Sequence, residues 1–173
     1  GKIVGAGASP TAKEADDGLT TLQGLYEHLF TSGAFGKLTD VLATDAVQAE
    51  PWQRIRIDTG GSVVIPDTVD GFPPYDLAPI EVIDTTASPV TRAMYVYEAG
   101  VGDWVRLDGL TLNSDAPLAT RSKFGLADLL AVFWLESFGG EMPMNIQRGA
   151  QAFSRSLMWK LGSDQPIVAS EYY

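Results

Sequence analysis

Ala15, Leu19, Leu22, Tyr26 and Leu29 recur at steps of four, three, four and three, with charged or small residues between them. That spacing lines one face of an α-helix and predicts an amphipathic helix over residues 10–31. Ser9 supplies an N-cap and Pro10 a first helical residue. Glu14, Asp16 and Asp17 lie near the positive end of the helix dipole, and Gly33 and Gly36 stop the pattern. Gly18 and Gly24 weaken this helix by about 1 kcal/mol each relative to Ala, and they mark places where another helix comes close. A short segment over residues 38–42 follows.

The period changes after Pro51. QRIRI (53–57) and DWVRL (103–107) alternate apolar and polar residues, and RAMYVY (92–97) does so more loosely. Residues 62–65 and 80–83 are short apolar runs between Gly, Pro and Asp. A period of two is the mark of half-buried strands, and residues 95–105 read as a β-hairpin around a Gly-containing turn. Residues 51–112 are therefore expected to form four or five short, mostly antiparallel strands, with Pro66, Pro73 and Pro74 breaking them into irregular loops.

From Pro117 the helical period returns. Leu126, Leu129, Leu130, Phe133 and Leu135 belong to a strongly apolar helix over 122–138, which Gly139-Gly140 ends. Ile146, Ala150, Phe153, Leu157 and Leu161 place a third helix from near Pro143, with Gly162 as its C-cap. The short connection makes these last two helices antiparallel neighbours. The pattern as a whole predicts an α+β chain in one domain: a small antiparallel helical bundle with an inserted, mostly antiparallel β region and an extended C-terminal tail. Its parts are a helical segment over 9–45, the β insertion over 51–112, the helix pair over 117–162 and the tail over 163–173.

Composition narrows the chemistry. With 173 residues, 45% apolar and 20% charged, the chain can bury a core of ordinary size. The apolar run over 126–138 is interrupted by Asp128 and Glu136 and falls short of a bilayer span. No basic segment with a following apolar run and cleavage site is present, so no secretion signal is expected. Cysteine is absent, which removes thiol catalysis, disulfides and thiolate metal sites, and a single histidine, His28, removes histidine-cluster metal sites.

The opening IVGAGASP (3–10) has the outline of a dinucleotide-binding turn, yet Pro10 stands where a third glycine is needed. The strand before it is too short, and Glu27 falls inside the first helix instead of after a second strand. DTVDG (67–71) resembles half of a calcium loop without the later ligands. Trp52, Trp104, Trp134 and Trp159 fall in different elements and are read as core or interface residues. No catalytic residue, cofactor site or metal site is expected.

The net charge of −10 is unevenly spread: residues 1–117 hold seven Lys/Arg and seventeen Asp/Glu, while 118–173 hold five of each. Such acidity cannot grip phosphates. It suits a solvated face, or the wall of a passage through which DNA slides without sticking.

GAGASPTAKEADDGLTTLQGLYEHL (5–29), GAFGKLTDVLATDAVQAEPWQRIRI (33–57), YVYEAGVGDWVRLDGLTLNSDAPL (95–118) and GLADLLAVFWLESFGGEMPMNIQRGAQAFSRSL (125–157) follow one another as in a known family. In this order they resemble the head-to-tail adaptor (connector) proteins of tailed bacteriophages, with Leu22-Gln23-Gly24-Leu25 where that family commonly has an Asn. The resemblance implies a structural protein of the virion neck, made in the host cytoplasm. It implies a homo-oligomeric ring of twelve copies beneath the portal that lengthens the DNA channel and offers a platform to tail or neck proteins. DNA would pass without specific binding, and no membrane would be involved.

It also implies that the tail grips the portal protein, through Gln165, Pro166, Ile167, Val168, Glu171, Tyr172 and Tyr173. Leu126, Leu130, Phe133 and Trp134 are the candidate subunit interface, because that helix is apolar beyond the needs of one small core. Asp16, Asp17, Glu27, Asp67 and Asp70 are the channel-facing candidates. A neck stopper or tail-completion protein is the alternative within this class. A ligand-binding module with Tyr95, Tyr97 and Trp104 as its platform is the alternative outside it.

Overall fold

Thr11 starts the first helix, α1 (Ala12–Thr31), through a capping box: Glu14 N donates to Thr11 Oγ1 at 3.3 Å, and Thr11 N donates to Glu14 Oε2 at 2.8 Å. The computed structural model of the chain describes residues 11–138 and 141–163, so the expected cap at Ser9 lies outside them. Leu25, Tyr26, Leu29 and Phe30 form the buried face of α1. Gly24 meets the second helix, with a Cβ placed there lying 3.6 Å from Phe133 Cε1, whereas Gly18 faces open space.

Seven strands follow: β1 (Thr39–Ala43), β2 (Ala46–Gln48), β3 (Gln53–Ile57), β4 (Ser62–Val64), β5 (Pro79–Asp84), β6 (Thr91–Glu98) and β7 (Asp103–Arg106). They make a five-stranded sheet in the order β1-β3-β5-β6-β7 and a two-stranded sheet of β2 and β4. The helices α2 (Lys123–Phe138) and α3 (Met144–Ser163) are the last elements among the described residues. The expected hairpin is present as β6–β7, with Tyr97 opposite Trp104.

The expected architecture, a helical bundle carrying a mostly antiparallel insertion, is overturned. The strands form a mixed sheet at the centre of the molecule, and β1–β3, β3–β5 and β2–β4 all pair in parallel. The physical reason is the route of the chain. Between one strand of the large sheet and its parallel neighbour, the connection supplies a strand of the small sheet. The crossover that parallel pairing demands is thus made by β2 and β4 in place of helices. A period of two records which residues are buried and carries no sign for strand direction.

The large sheet is covered on both faces. Met94, Val96 and Leu107 pack with Tyr26, Phe35, Leu126, Phe153 and Leu157 in the main core. Ala43, Ile55 and Ile80 form a second core with Val47 and Val63 of the small sheet and with Tyr95 and Trp104. On β5, Ile80 and Val82 belong to that second core, so alternation turns Glu81 to the helix side.

Two buried carboxylates tie these layers together. Glu81, 1% exposed, accepts from Arg54 Nε at 2.5 Å and from Arg92 Nε, and Arg92 Nη1 also pairs with Glu27 of α1 at 3.1 Å. Glu98, 2% exposed, accepts from Leu118 N at 2.5 Å and from Thr120 Oγ1 at 2.6 Å. The Leu118 contact holds a leucine at φ 65°, a left-handed conformation that persists only where its surroundings enforce it. Gly162, expected to cap the last helix, lies inside α3, which continues to Ser163.

Candidate interaction surface

α2 is apolar around its circumference, with Asp128 the one charged residue between Lys123 and Glu136. A helix of that kind is normally buried on all sides. Here α1 and the sheet lie on one side and α3 on another. The crossing with α3 is close and antiparallel: a Cβ at Gly125 would lie 2.9 Å from Phe153 Cβ, and one at Gly149 would strike the Asp128 carboxylate. His28 of α1 stacks beside Phe133, ring centroids 5.8 Å apart. A shallow cleft of about 240 Å³ opens between the three helices, with His28, Ser32 and Ser154 as its polar lining.

The four residues predicted for a subunit interface separate here. Leu126 is 5% exposed and belongs to the core of its own chain, and Leu130 and Phe133 are partly buried against that core. Trp134 is 52% exposed. Phe124, which the sequence reading passed over, is 84% exposed at the start of α2. No signal in the sequence marks it, because its exposure depends on the close approach of Gly125 to Phe153 of α3.

The predicted acidic residues are not brought together. Asp16 and Asp17 are exposed in the first turns of α1, while Asp67 and Asp70 are exposed on the connection from β4 to β5. Glu27 is paired with Arg92. Asp70 has φ 54°, in the half-calcium-loop segment, where Val69 and Phe72 bridge each other through their backbones. Among the described residues no group of three His, Asp or Glu side chains is placed to hold a metal ion.

The aromatic platform is used within the chain. Tyr97 is 5% exposed and meets Trp104 edge to face at 5.6 Å, and Trp104 Nε1 donates to Pro66 O at 2.8 Å. Trp52 Nε1 likewise donates to Phe35 O at 3.1 Å. These rings close the second core and a strand connection, the structural roles tryptophan fills when its N–H finds a partner. The tail residues Gln165, Pro166, Ile167, Val168, Glu171, Tyr172 and Tyr173 lie outside the described residues.

Among the described residues no helix is long and apolar enough to cross a membrane. No family model matches the chain, and no curated protein matches it either.

Proposed function

We propose that this chain is a head-to-tail adaptor of a tailed bacteriophage, a subunit of a twelve-fold ring between portal and tail through which DNA passes. The observation that carries the reading is the order of its parts. A Leu-spaced first helix, a β-rich middle and a Leu/Ala-rich helix joined by a short turn to a helix with Ala150, Phe153 and Leu157, where the family has an AxxAxxxL-like pattern, follow as in that family. The reading does not depend on a helical-bundle architecture.

The surface of α2 supports it. Phe124 and Trp134, at 84% and 52% exposure, leave large apolar area in water, at about 25 cal/mol per Å², as an assembling subunit would before it meets its neighbours. In the assembled virion the protein occupies the neck. The tail over 165–173, with Ile167, Val168, Tyr172 and Tyr173 as apolar anchors, grips the portal protein, while the opposite end of the ring offers its surface to tail or neck proteins.

Co-sedimentation with portal rings of the same phage tests this. The full chain is expected to pellet with portal, and a chain lacking residues 165–173 to remain in the supernatant while keeping its circular dichroism spectrum. A reconstruction of the virion neck holding one or two copies of the chain in place of a ring would refute the proposal.

A further inference from the structure

An open apolar groove of about 300 Å³ runs along the N-terminal half of α1, lined by Ala15, Gly18, Leu19, Leu22, Leu112 and Leu130. Gly18 leaves it unobstructed, since a Cβ there would meet nothing within 4 Å. Leu112 is 59% exposed, and Ala15, Leu19 and Leu22 are half-buried. Apolar area is therefore left facing water along the first turns of α1.

IVGAGASP (3–10), which fails as a nucleotide turn, leads straight into this helix. With Thr11 as the N-cap, Pro10 stands at the position just before the cap and Ala15 is the fourth helical residue. Those two positions are the pair that packs together in a hydrophobic staple, which fixes the angle at which the chain enters its helix. Ala15 lines the near end of the groove. A chain entering over Ala15 lies alongside the first turn of α1, and going upstream from Pro10 carries it along the groove toward Leu22. The seven residues from Pro10 back to Ile3 reach about 23 Å when extended, whereas Ala15 and Leu22 are about 10 Å apart along the helix axis. Gly5 and Gly7 let the backbone take up the slack.

We infer that the occupant of the α1 groove is the chain's own segment 3–10, with Pro10 on Ala15 and the Ile3-Val4 pair against Leu22 and Leu112. Ile3 and Val4 are the branched apolar residues of that segment, and the groove offers leucines at the distance they reach. A tethered segment meets its groove at an effective concentration on the order of millimolar. A free partner or a second copy must compete against that concentration to take its place. The contact does not depend on the ring reading, and it gives the glycine-rich opening a role in covering apolar surface.

The chain's lack of cysteine lets a single disulfide report the contact. The full chain carrying Ile3→Cys/Leu112→Cys is oxidised beside a control carrying Ile3→Cys/Thr59→Cys, whose second site is exposed on the connection from β3 to β4. The first variant is expected to close an intrachain disulfide about tenfold faster than the control, at a rate that does not change with protein concentration. Adding Gly18→Leu fills the groove and should bring that rate down to the control's. The circular dichroism spectrum should be kept, because nothing within 4 Å opposes a Cβ at this position. Closure no faster than the control, or closure that Gly18→Leu leaves unchanged in a folded chain, would overturn the inference. So would disulfide-linked dimers that outpace intrachain closure and form faster as concentration rises, since the occupant would then be a second copy.

Discussion

Replacing Glu81 by Gln keeps the volume of the side chain and removes its charge from a site where it holds two arginines. The carboxylate is 1% exposed, and Arg54 and Arg92 are 41% and 32% exposed. Two charge-assisted hydrogen bonds are each worth about 1.5–3 kcal/mol, and breaking a fully buried pair costs about 3–5 kcal/mol. Water reaches both guanidinium groups and takes up part of what they lose, so the lower end applies: about 3 kcal/mol for Glu81→Gln. At about 2–4 °C per kcal/mol for a domain of this size, the melting temperature should fall by about 6–12 °C. The control is Asp40→Asn, which touches the same Arg54 at 3.4 Å from a side chain 79% exposed and should change stability by less than about 0.5 kcal/mol. Urea unfolding and thermal melts of the three proteins give the comparison. A loss below about 1 kcal/mol in Glu81→Gln, or an equal loss in Asp40→Asn, would refute the argument that burial of the shared carboxylate governs the network.

The Tyr26 hydroxyl donates to Pro117 O at 2.5 Å, and burial, with a smaller contribution from Glu98, raises its pKa above the ordinary tyrosine value. The folded state therefore holds this proton more tightly, so its contribution to stability is complete below about pH 10 and declines as pH rises toward the folded-state value. Tyr26→Phe should cost about 1 kcal/mol at neutral pH and flatten the alkaline decline, and urea midpoints measured across that range check both; an unchanged decline counts against Tyr26 as its source. Gly125→Ala should cost about 1–3 kcal/mol, because the new methyl meets Phe153 Cβ at 2.9 Å. Gly149→Ala should cost less, since the Asp128 carboxylate it meets can rotate away, and equal losses in the two melts would show that the closeness of the helix crossing does not set the penalty.

What the sequence disclosed follows from what periodicity records. The 3.6-residue pattern located all three helices, and the alternation around Tyr95 and Trp104 located the hairpin, because a burial period is a local property. The parallel pairing of β1, β3 and β5 stayed hidden because strand direction depends on where distant connections run. Thr11 lost to Ser9 as the expected cap because both can cap and only the reciprocal Glu14 bond separates them. Nothing in the sequence marked Glu81 and Glu98 as buried, because the arginines that hold Glu81 and the Leu118 amide and Thr120 hydroxyl that hold Glu98 come from elsewhere in the fold. At the candidate surface, the apolar excess of α2 was legible. Which of its residues face outward was not, because that depends on the close approach of Gly125 to Phe153.

The winding of β1 to β5 through two sheets also sets a kinetic order. β5, β6 and β7 can zip together as neighbours in the chain, with Tyr95 meeting Arg106 across one short turn. β3 must instead wait for β5, where Gln53 pairs with Ile80, and β1 must wait for β3. Pairings between remote segments close slowly because the intervening chain has to be ordered first. The strands that leave the ribosome earliest are therefore the last to be locked, and β1, at the edge of the finished sheet, keeps both of its sides open until the rest of the sheet has formed.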